Sequence, residues 1–153
     1  MEKLLEAIKT LLSSKYYELK LKKDKSVFIT PAINWLPVGV RPPCIGIKDG
    51  GSFRKELPGG CLEIVRKVHI VTTVDLFKGE QKIIGNNDKD KPGVLDIADA
   101  INAELDENLL DLDGYISAFC NEISESISYG DVEKDVFYQQ IVLTFDYEWQ
   151  GER

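Results

Sequence analysis

The chain has few of the residues on which metal and nucleophilic sites usually depend. It contains one histidine, His69, one methionine and three cysteines. A single imidazole excludes a multi-histidine metal site within one chain. The cysteines, Cys44, Cys61 and Cys120, are widely spaced, odd in number and form no Cys-x-x-Cys pair, so neither a zinc site nor a disulfide framework is supported. We therefore expect free, buried thiols in a reducing compartment.

Long apolar runs and clustered positive charge are also scarce. No stretch approaches the roughly 20 apolar residues of a membrane-spanning helix, so we expect no membrane partner. The net charge of −7 argues against sequence-specific nucleic-acid binding, because phosphate contacts need clustered Lys and Arg. One lysine group follows the first predicted helix, and we interpret it as a solvated turn because Glu18 and Asp24 interrupt it. It consists of Lys15, Lys20, Lys22, Lys23 and Lys25.

Motifs for nucleophile and phosphate chemistry are missing as well. The sequence has no GxSxG elbow. Its glycine pairs, Gly50-Gly51 and Gly59-Gly60, lack a GxxxxGK[ST] or GxGxxG context, so we interpret them as loop hinges. Nothing singles out a catalytic pair among the 26 acidic residues.

The acidic stretch 106–114 resembles half of a calcium-binding EF-hand loop. If Gly114 takes the sixth loop position, the first and twelfth positions fall on Leu109 and Cys120, which are not calcium ligands. We interpret the stretch as a solvated helix end. The sequence therefore predicts no catalytic residue, no metal site, no cofactor and no enzyme activity.

The strongest structural signal is period-2 alternation near the C-terminus, within Val132–Trp149. One set of alternate positions is mostly apolar and consists of Phe137, Gln139, Ile141, Leu143, Phe145, Tyr147 and Trp149. This pattern predicts one long strand with a buried face. A second such strand is predicted at Cys61–Phe77. Both exceed the usual length of about 5–6 residues, so we expect their ends to reach a neighbouring subunit.

Helical spacing appears twice. Residues 2–13 carry an apolar stripe of Leu4, Leu5, Ile8, Leu11 and Leu12. A second helix of three to four turns is predicted where Val94, Ile97, Ala98, Ile101 and Leu105 recur. Shorter strand segments are predicted at 16–21, 26–30, 44–48 and 115–129, the last forming an antiparallel hairpin with the final strand.

This order of elements predicts a single α+β domain with an antiparallel or mixed β-sheet and both helices packed on one face. Residues 31–60 hold eleven Pro and Gly residues, so we expect a loop insertion there. Trp35, Phe53 and Leu57 give the insertion apolar anchors for the parent core or a neighbour. We expect removal of Ile33–Gly60 to leave a folded subunit.

Taken together, the elements resemble the tail terminator proteins of tailed bacteriophages and prophages, also called tail completion or minor tail proteins. The resemblance covers most of the chain as an order of elements and includes no catalytic motif. It rests on an N-terminal amphipathic helix followed by PCIGI at 43–47, VHIVTTVDLF at 68–77, LDIADAINAEL at 95–105 and IVLTFDYEW at 141–149.

The resemblance implies a tail-terminator-like domain over residues 1–153 and a structural role in virion assembly. Its copies would form a ring, usually a hexamer, that caps the tail tube and meets the head connector or neck protein. The location would be the virion tail, after assembly in the cytoplasm of the bacterial host. Interface positions are expected at Trp35, Phe53, Leu57, Lys78, Lys82, Lys89 and Lys91.

Two alternatives remain open at the level of sequence. The first is a head–tail connector or neck protein, which uses similar assembly surfaces. The second is a small ligand-binding domain or enzyme with a pocket beneath residues 31–60. The side chains expected to line that pocket are Trp35, Tyr16, Tyr17 and His69.

Overall fold

Two helices and six strands make up the part of the chain that the computed structural model describes, residues 1–75, 93–131 and 136–152. The helices are α1 (Glu2–Ser14) and α2 (Val94–Leu105). The strands are β1 (Val27–Ile29), β2 (Cys44–Leu57), β3 (Cys61–Asp75), β4 (Tyr115–Ile123), β5 (Ile127–Asp131) and β6 (Val136–Glu152). The prediction of an α+β fold is confirmed.

The strands form one mixed sheet in the order β1-β2-β3-β6-β4. β1 runs parallel to β2, and the other neighbours are antiparallel. β5 also pairs with β6, beside residues 136–140, while β4 pairs with residues 143–149 of the same strand. β4 and β5 therefore share one edge of the sheet, and β5 forms the antiparallel pair with β6 that the sequence predicts.

One face of the sheet, called here the core face, packs against both helices. Side chains of the two helices and of this face form a single buried cluster. α1 lies over β1 and β2, and α2 lies over β3 and β6. The buried residues contributed by β6 are Ile141, Leu143, Phe145 and Tyr147, which confirms the alternation seen in the sequence. The helices bury Leu4, Ile8 and Leu12 from α1, and Val94, Ile97, Ala98, Ile101 and Leu105 from α2.

The predicted strand at 16–21 is wrong, because this segment forms a turn that closes the end of α1. The Leu19 and Leu21 amides donate to the carbonyls of Lys15 and Tyr16. Lys20 adopts a left-handed conformation with φ of 63°. Leu19 and Leu21 are both buried, so their spacing imitates strand alternation while the backbone turns beneath the helix.

The predicted loop insertion at 31–60 is only partly a loop. β2 continues past Lys48 to Leu57, with a change of register between Asp49 and Ser52. A short turn then leads into β3, and its glycines at 59 and 60 have φ of +83° and +78°. Glycine adopts such angles without steric cost, so the second glycine pair belongs to a hairpin turn.

The remaining connection, residues 30–43, passes over the face of the sheet opposite the helices, called here the outer face. The Gln140 side-chain amide donates to the Ile33 carbonyl at 2.9 Å and ties the connection to β6. Deleting Ile33–Gly60 would remove strand β2 as well as this connection. The expectation that this segment contributes little regular structure is therefore wrong, and its removal would leave β3 without its partner β2.

The buried row on β6 gives a direct test of which face is the core. Leu143 is fully buried, so Leu143→Asp places a carboxylate without a partner in the core. Such a charge costs several kcal/mol or more, against a total stability of roughly 5–15 kcal/mol. We expect circular dichroism to show no cooperative melting of this variant. Gln150→Asp, at an exposed position of β6, is the control and should melt like the wild type. A native-like melting curve for Leu143→Asp would show that the face is misassigned.

Candidate assembly surface

Three strands extend together away from the core at one end of the sheet. Residues 52–57 of β2 pair with 61–66 of β3, which in turn pair with 147–152 of β6. None of the side chains at 52–57, 61–63 and 150–152 is buried. We call these three segments the projection. A projection of this kind has little apolar contact with its own core, so its exposed surface is available to other molecules.

Trp149 holds the base of the projection against the turn before β4. Its indole Nε1 donates to the Asp113 carbonyl at 3.2 Å, and the Gln150 amide donates to the Gly114 carbonyl at 2.9 Å. Gly114 has φ of +85°, and a Cβ atom at this position would overlap the Trp149 ring. A glycine is therefore required for the turn to approach β6 this closely.

The edge of the sheet at β2 is open along the projection. β1 pairs only with residues 45–47 of β2. The hydrogen bond that the Thr30 amide donates to the Ile47 carbonyl is the last one between the two segments. Within the described residues, no strand pairs with this side of β2 at 48–57. An unpaired edge offers backbone donors and acceptors to another chain. Lys48 and Lys55 lie along this edge, and edge lysines disfavour indiscriminate pairing.

The opposite edge is closed in its middle by the segment that follows α2. The Glu107 amide donates to the Ala118 carbonyl at 2.9 Å, and the Asp106 carboxylate accepts a bond from the Cys120 amide at 3.1 Å. These bonds use backbone groups of β4 that would otherwise be free to pair with another strand. The two edges of the sheet therefore differ in chemistry as well as in position.

Polar side chains form a ladder across the outer face, opposite the helices. His69 Nδ1 lies 2.9 Å from Thr144 Oγ1, and Lys67 Nζ forms an ion pair with Asp146 at 2.8 Å. Burial, followed by the positive charges of Lys48 and Lys67, lowers the pKa of His69 from its ordinary value of 6.5. His69 is therefore an uncharged, half-buried member of the ladder at neutral pH.

The structure places three of the predicted interface residues on the surface. Phe53 is 67% exposed on the projection, and Leu57 is half-buried on the same strand. Trp35 is exposed near the start of β2, with its ring edge-on to Phe28 at 6.2 Å. The structure thus brings Phe53 and Leu57 together but not Trp35. The other predicted positions, Lys78, Lys82, Lys89 and Lys91, lie outside the described residues.

The side chains proposed for a ligand pocket do not form one shared wall. Tyr16 borders a shallow depression at the end of α1, whose described lining includes neither Trp35 nor His69. Tyr17 is largely exposed in the same turn. In the described residues, no three or more His, Cys, Asp or Glu side chains are grouped so that they could hold a metal ion. Over the same ranges, no helix is long and apolar enough to cross a membrane.

Charge is divided between the two sides of the sheet, and the whole-chain net charge conceals this division. Residues 1–57, which form α1, β1 and β2, hold eleven basic and six acidic side chains, a net charge of +5. Residues 93–131, which form α2, β4 and β5, hold ten acidic and no basic side chains. We call these parts the basic flank and the acidic flank. Counting charge by segment would have revealed them from the sequence.

The three cysteines occupy different environments. Cys44 is buried, and burial, aided by the nearby Asp75 carboxylate, raises the pKa of its thiol from 9.0 to about 12. Cys120 is half-buried, and burial raises the pKa of its thiol as well. Cys61 is exposed on the projection. The expectation of buried thiols is therefore wrong for Cys61, because the strand that carries it leaves the core.

Comparisons with known proteins do not assign the chain to a family. No protein family model matches the chain. No curated protein matches it either. Among solved structures, a chain from the virion of a native gene transfer agent particle aligns with 93% of this chain and 96% of its own length. The identity is 14% and the TM-score 0.46, which is too low to carry a functional argument.

Cysteine labelling tests the division between projection and core. The thiolate is the reactive form of cysteine, so exposure and pKa together set its labelling rate. We expect a maleimide at mildly alkaline pH to label Cys61 quickly in the folded protein and Cys44 only after denaturation. Peptide mass spectrometry identifies the modified residue, and Cys61→Ser is the control that should remove the fast phase. Fast labelling of Cys44 in the folded protein would contradict the assignment.

Proposed function

We propose that the chain is a structural subunit of a tailed phage or phage-like particle and acts as a tail terminator. In this proposal, several copies form a ring that caps the tail tube and joins it to the head. Its partners are further copies of the chain, the tail tube protein and the head connector or neck protein. The ring belongs to the virion tail and assembles in the cytoplasm of the host cell.

The observation that carries the proposal is the projection with its open edge at 48–57. Exposed strand edges are a liability that proteins usually cover or shorten. Here the chain extends three strands beyond its core and places a largely exposed aromatic residue, Phe53, on the outermost of them. A neighbouring molecule that covers this surface would bury Phe53 and meet the side of β2 with which, in the described residues, no strand pairs. This arrangement supports assembly as the purpose of the surface.

The order of elements also supports the proposal. The segment PCIGI leads into β2, and VHIVTTVD forms the end of β3. The segment LDIADAINAEL lies in α2, and IVLTFDYEW lies in β6. These are the sequence segments on which the resemblance to tail terminators rests, and each occupies the kind of element that the resemblance implies.

A head–tail connector or neck protein remains the neighbouring alternative, since the same projection would serve it. The two functions differ in the partner that they meet. A terminator binds the end of the tail tube, whereas a connector binds the head side first. Pull-down with purified tail tubes and, separately, with tail-free heads distinguishes them.

Native mass by light scattering over a concentration series tests the proposed ring. We expect a discrete species near six times the 17.2 kDa chain mass, or a monomer that becomes incorporated when purified tail tubes are added. Phe53→Asp should weaken either association roughly tenfold, because an aromatic anchor at an interface contributes on the order of 1–2 kcal/mol.

Val38→Asp serves as the matched control, because Val38 is fully exposed and lies away from the projection. This variant should associate like the wild type. Circular dichroism must show that both variants are folded. A wild-type protein that stays monomeric at every concentration and ignores tail tubes would refute the proposed function.

A further inference from the structure

We propose that copies of this chain meet head to tail, with the acidic flank of one copy against the basic flank of the next. The inference rests on the proposed ring and names the surfaces that build it. The partner is therefore a second copy of this chain. The observation behind it is the division of charge across the sheet, in which β3 and β6 lie between the β2 edge of the basic flank and the β4–β5 edge of the acidic flank. Within one copy, the two flanks meet over the core face, where Lys20 lies 3.9 Å from Asp96.

The sign of the charges determines which surfaces attract. Contact between two acidic flanks, or between two basic flanks, would bring like charges together. Contact between unlike flanks is attractive, and repeated contacts of this kind produce a closed ring or an open filament. A symmetric pair formed through one flank alone is disfavoured. Among contacts between sheet edges, charge complementarity therefore favours the head-to-tail arrangement that a ring requires.

Each flank carries exposed charges that are available to a neighbour. Within the described residues, the chosen side chains form no ion pairs with one another or with other residues. The exposed charges of the basic flank are Lys22, Lys23, Arg54 and Lys55. Those of the acidic flank are Asp111, Asp113, Glu122 and Glu125.

The sheet places Arg54 on the β2 edge and the start of β4 at the same level along the strand direction. Arg54 on the open edge lies in one row with Ile64, Trp149 and Tyr115, and Tyr115 begins β4 on the acidic flank. A copy displaced sideways along the sheet therefore brings its β4 edge beside β2 of its neighbour. The hydrogen bonds from the Cys120 amide to Asp106 and from the Glu107 amide to the Ala118 carbonyl already occupy the middle of the β4 edge. Side chains, rather than a continuous backbone ladder, therefore mediate this contact.

An apolar contribution accompanies the charges. Phe53 pairs in register with Val65, which lies opposite Glu148 and then Ser117 on the outer face. Phe119 follows Ser117 by two residues, so it lies on the same face. Phe53 and Phe119 are 67% and 59% exposed, one on each flank. Head-to-tail contact brings these two rings to the same side of the interface.

Charge reversal on each flank separately provides the test. The first variant, Lys22→Glu/Lys23→Glu/Lys55→Glu, reverses three of the four exposed charges named on the basic flank. The second, Asp111→Lys/Asp113→Lys/Glu122→Lys, reverses three of the four named on the acidic flank. We expect each variant alone to lose assembly, because its two sets of exposed contact charges now have the same sign. An equimolar mixture should recover assembly, because the contact charges of one variant are opposite in sign to those of the other. The mixture also controls for net charge, since its total equals that of the wild type.

A double exchange within one flank supplies the matched control. Glu6→Lys/Lys9→Glu changes two positions on α1 that are not among the chosen charges and keeps the charge of the basic flank, so it should assemble like the wild type. If a triple variant fails to fold, a neutral double variant of the same flank replaces it. These double variants are Lys22→Gln/Lys23→Gln for the basic flank and Asp111→Asn/Asp113→Asn for the acidic flank. Each neutral pair should weaken assembly roughly tenfold, and added salt should weaken wild-type assembly.

The outcomes separate this inference from the proposed function. If the wild type assembles and the reversed variants assemble equally well, or if the mixture stays dissociated, the head-to-tail inference is overturned while the ring stands. If the wild type neither self-associates nor joins tail tubes, the proposed function fails and the inference fails with it. Light scattering and sedimentation velocity give the required masses.

Discussion

The pairing of β3 with β6 holds the other strands and both helices in place. These strands run antiparallel through fifteen consecutive residue pairs, from Cys61 opposite Glu152 to Asp75 opposite Tyr138. Near the middle of this ladder the core-face side chains, such as Ile70 and Leu143, are fully buried beneath the helices. At the end where Cys61 lies opposite Glu152, the same two strands continue beyond the core into the projection. A single strand pair thus supports both the hydrophobic core and the projection.

The central pair also separates the charged parts of the molecule. β3 contains two basic and two acidic residues, whereas β6 contains three acidic and no basic ones, so the excess of negative charge begins at β6. The N-terminal elements attach on the β2 side, and α2, β4 and β5 attach on the β6 side. Because the chain order assigns basic and acidic segments to opposite sides, the fold converts a pattern along the sequence into an electrostatic asymmetry in space. That asymmetry fits a protein that assembles with its own copies.

The sequence predicts the elements that bury one face, because burial leaves a periodic pattern. α1, α2, β3 and β6 were found for this reason. The pattern misleads at Leu19 and Leu21, which a turn buries at strand-like spacing. It is absent at 48–57, because a strand exposed on both faces needs no apolar alternation and is fixed by pairing with β3. Phe53 and Leu57 are predicted at an interface as apolar anchors of a loop. The two flanks are not predicted, because the lysine group near residues 15–25 and the acidic stretch 106–114 are each interpreted as solvated.

Isotope-coded cross-linking of the wild-type assembly identifies the surfaces through which two copies meet. Copies labelled with ¹⁴N and ¹⁵N are mixed, allowed to assemble and treated with a carbodiimide, which joins lysines to carboxylates in direct contact. If unlike flanks meet, we expect mixed-isotope peptides that connect Lys22, Lys23 or Lys55 of one copy to Asp111, Asp113 or Glu122 of another. Mixed-isotope links confined to residues of a single flank, or cross-links found only within one copy of an assembled ring, would contradict contact between unlike flanks.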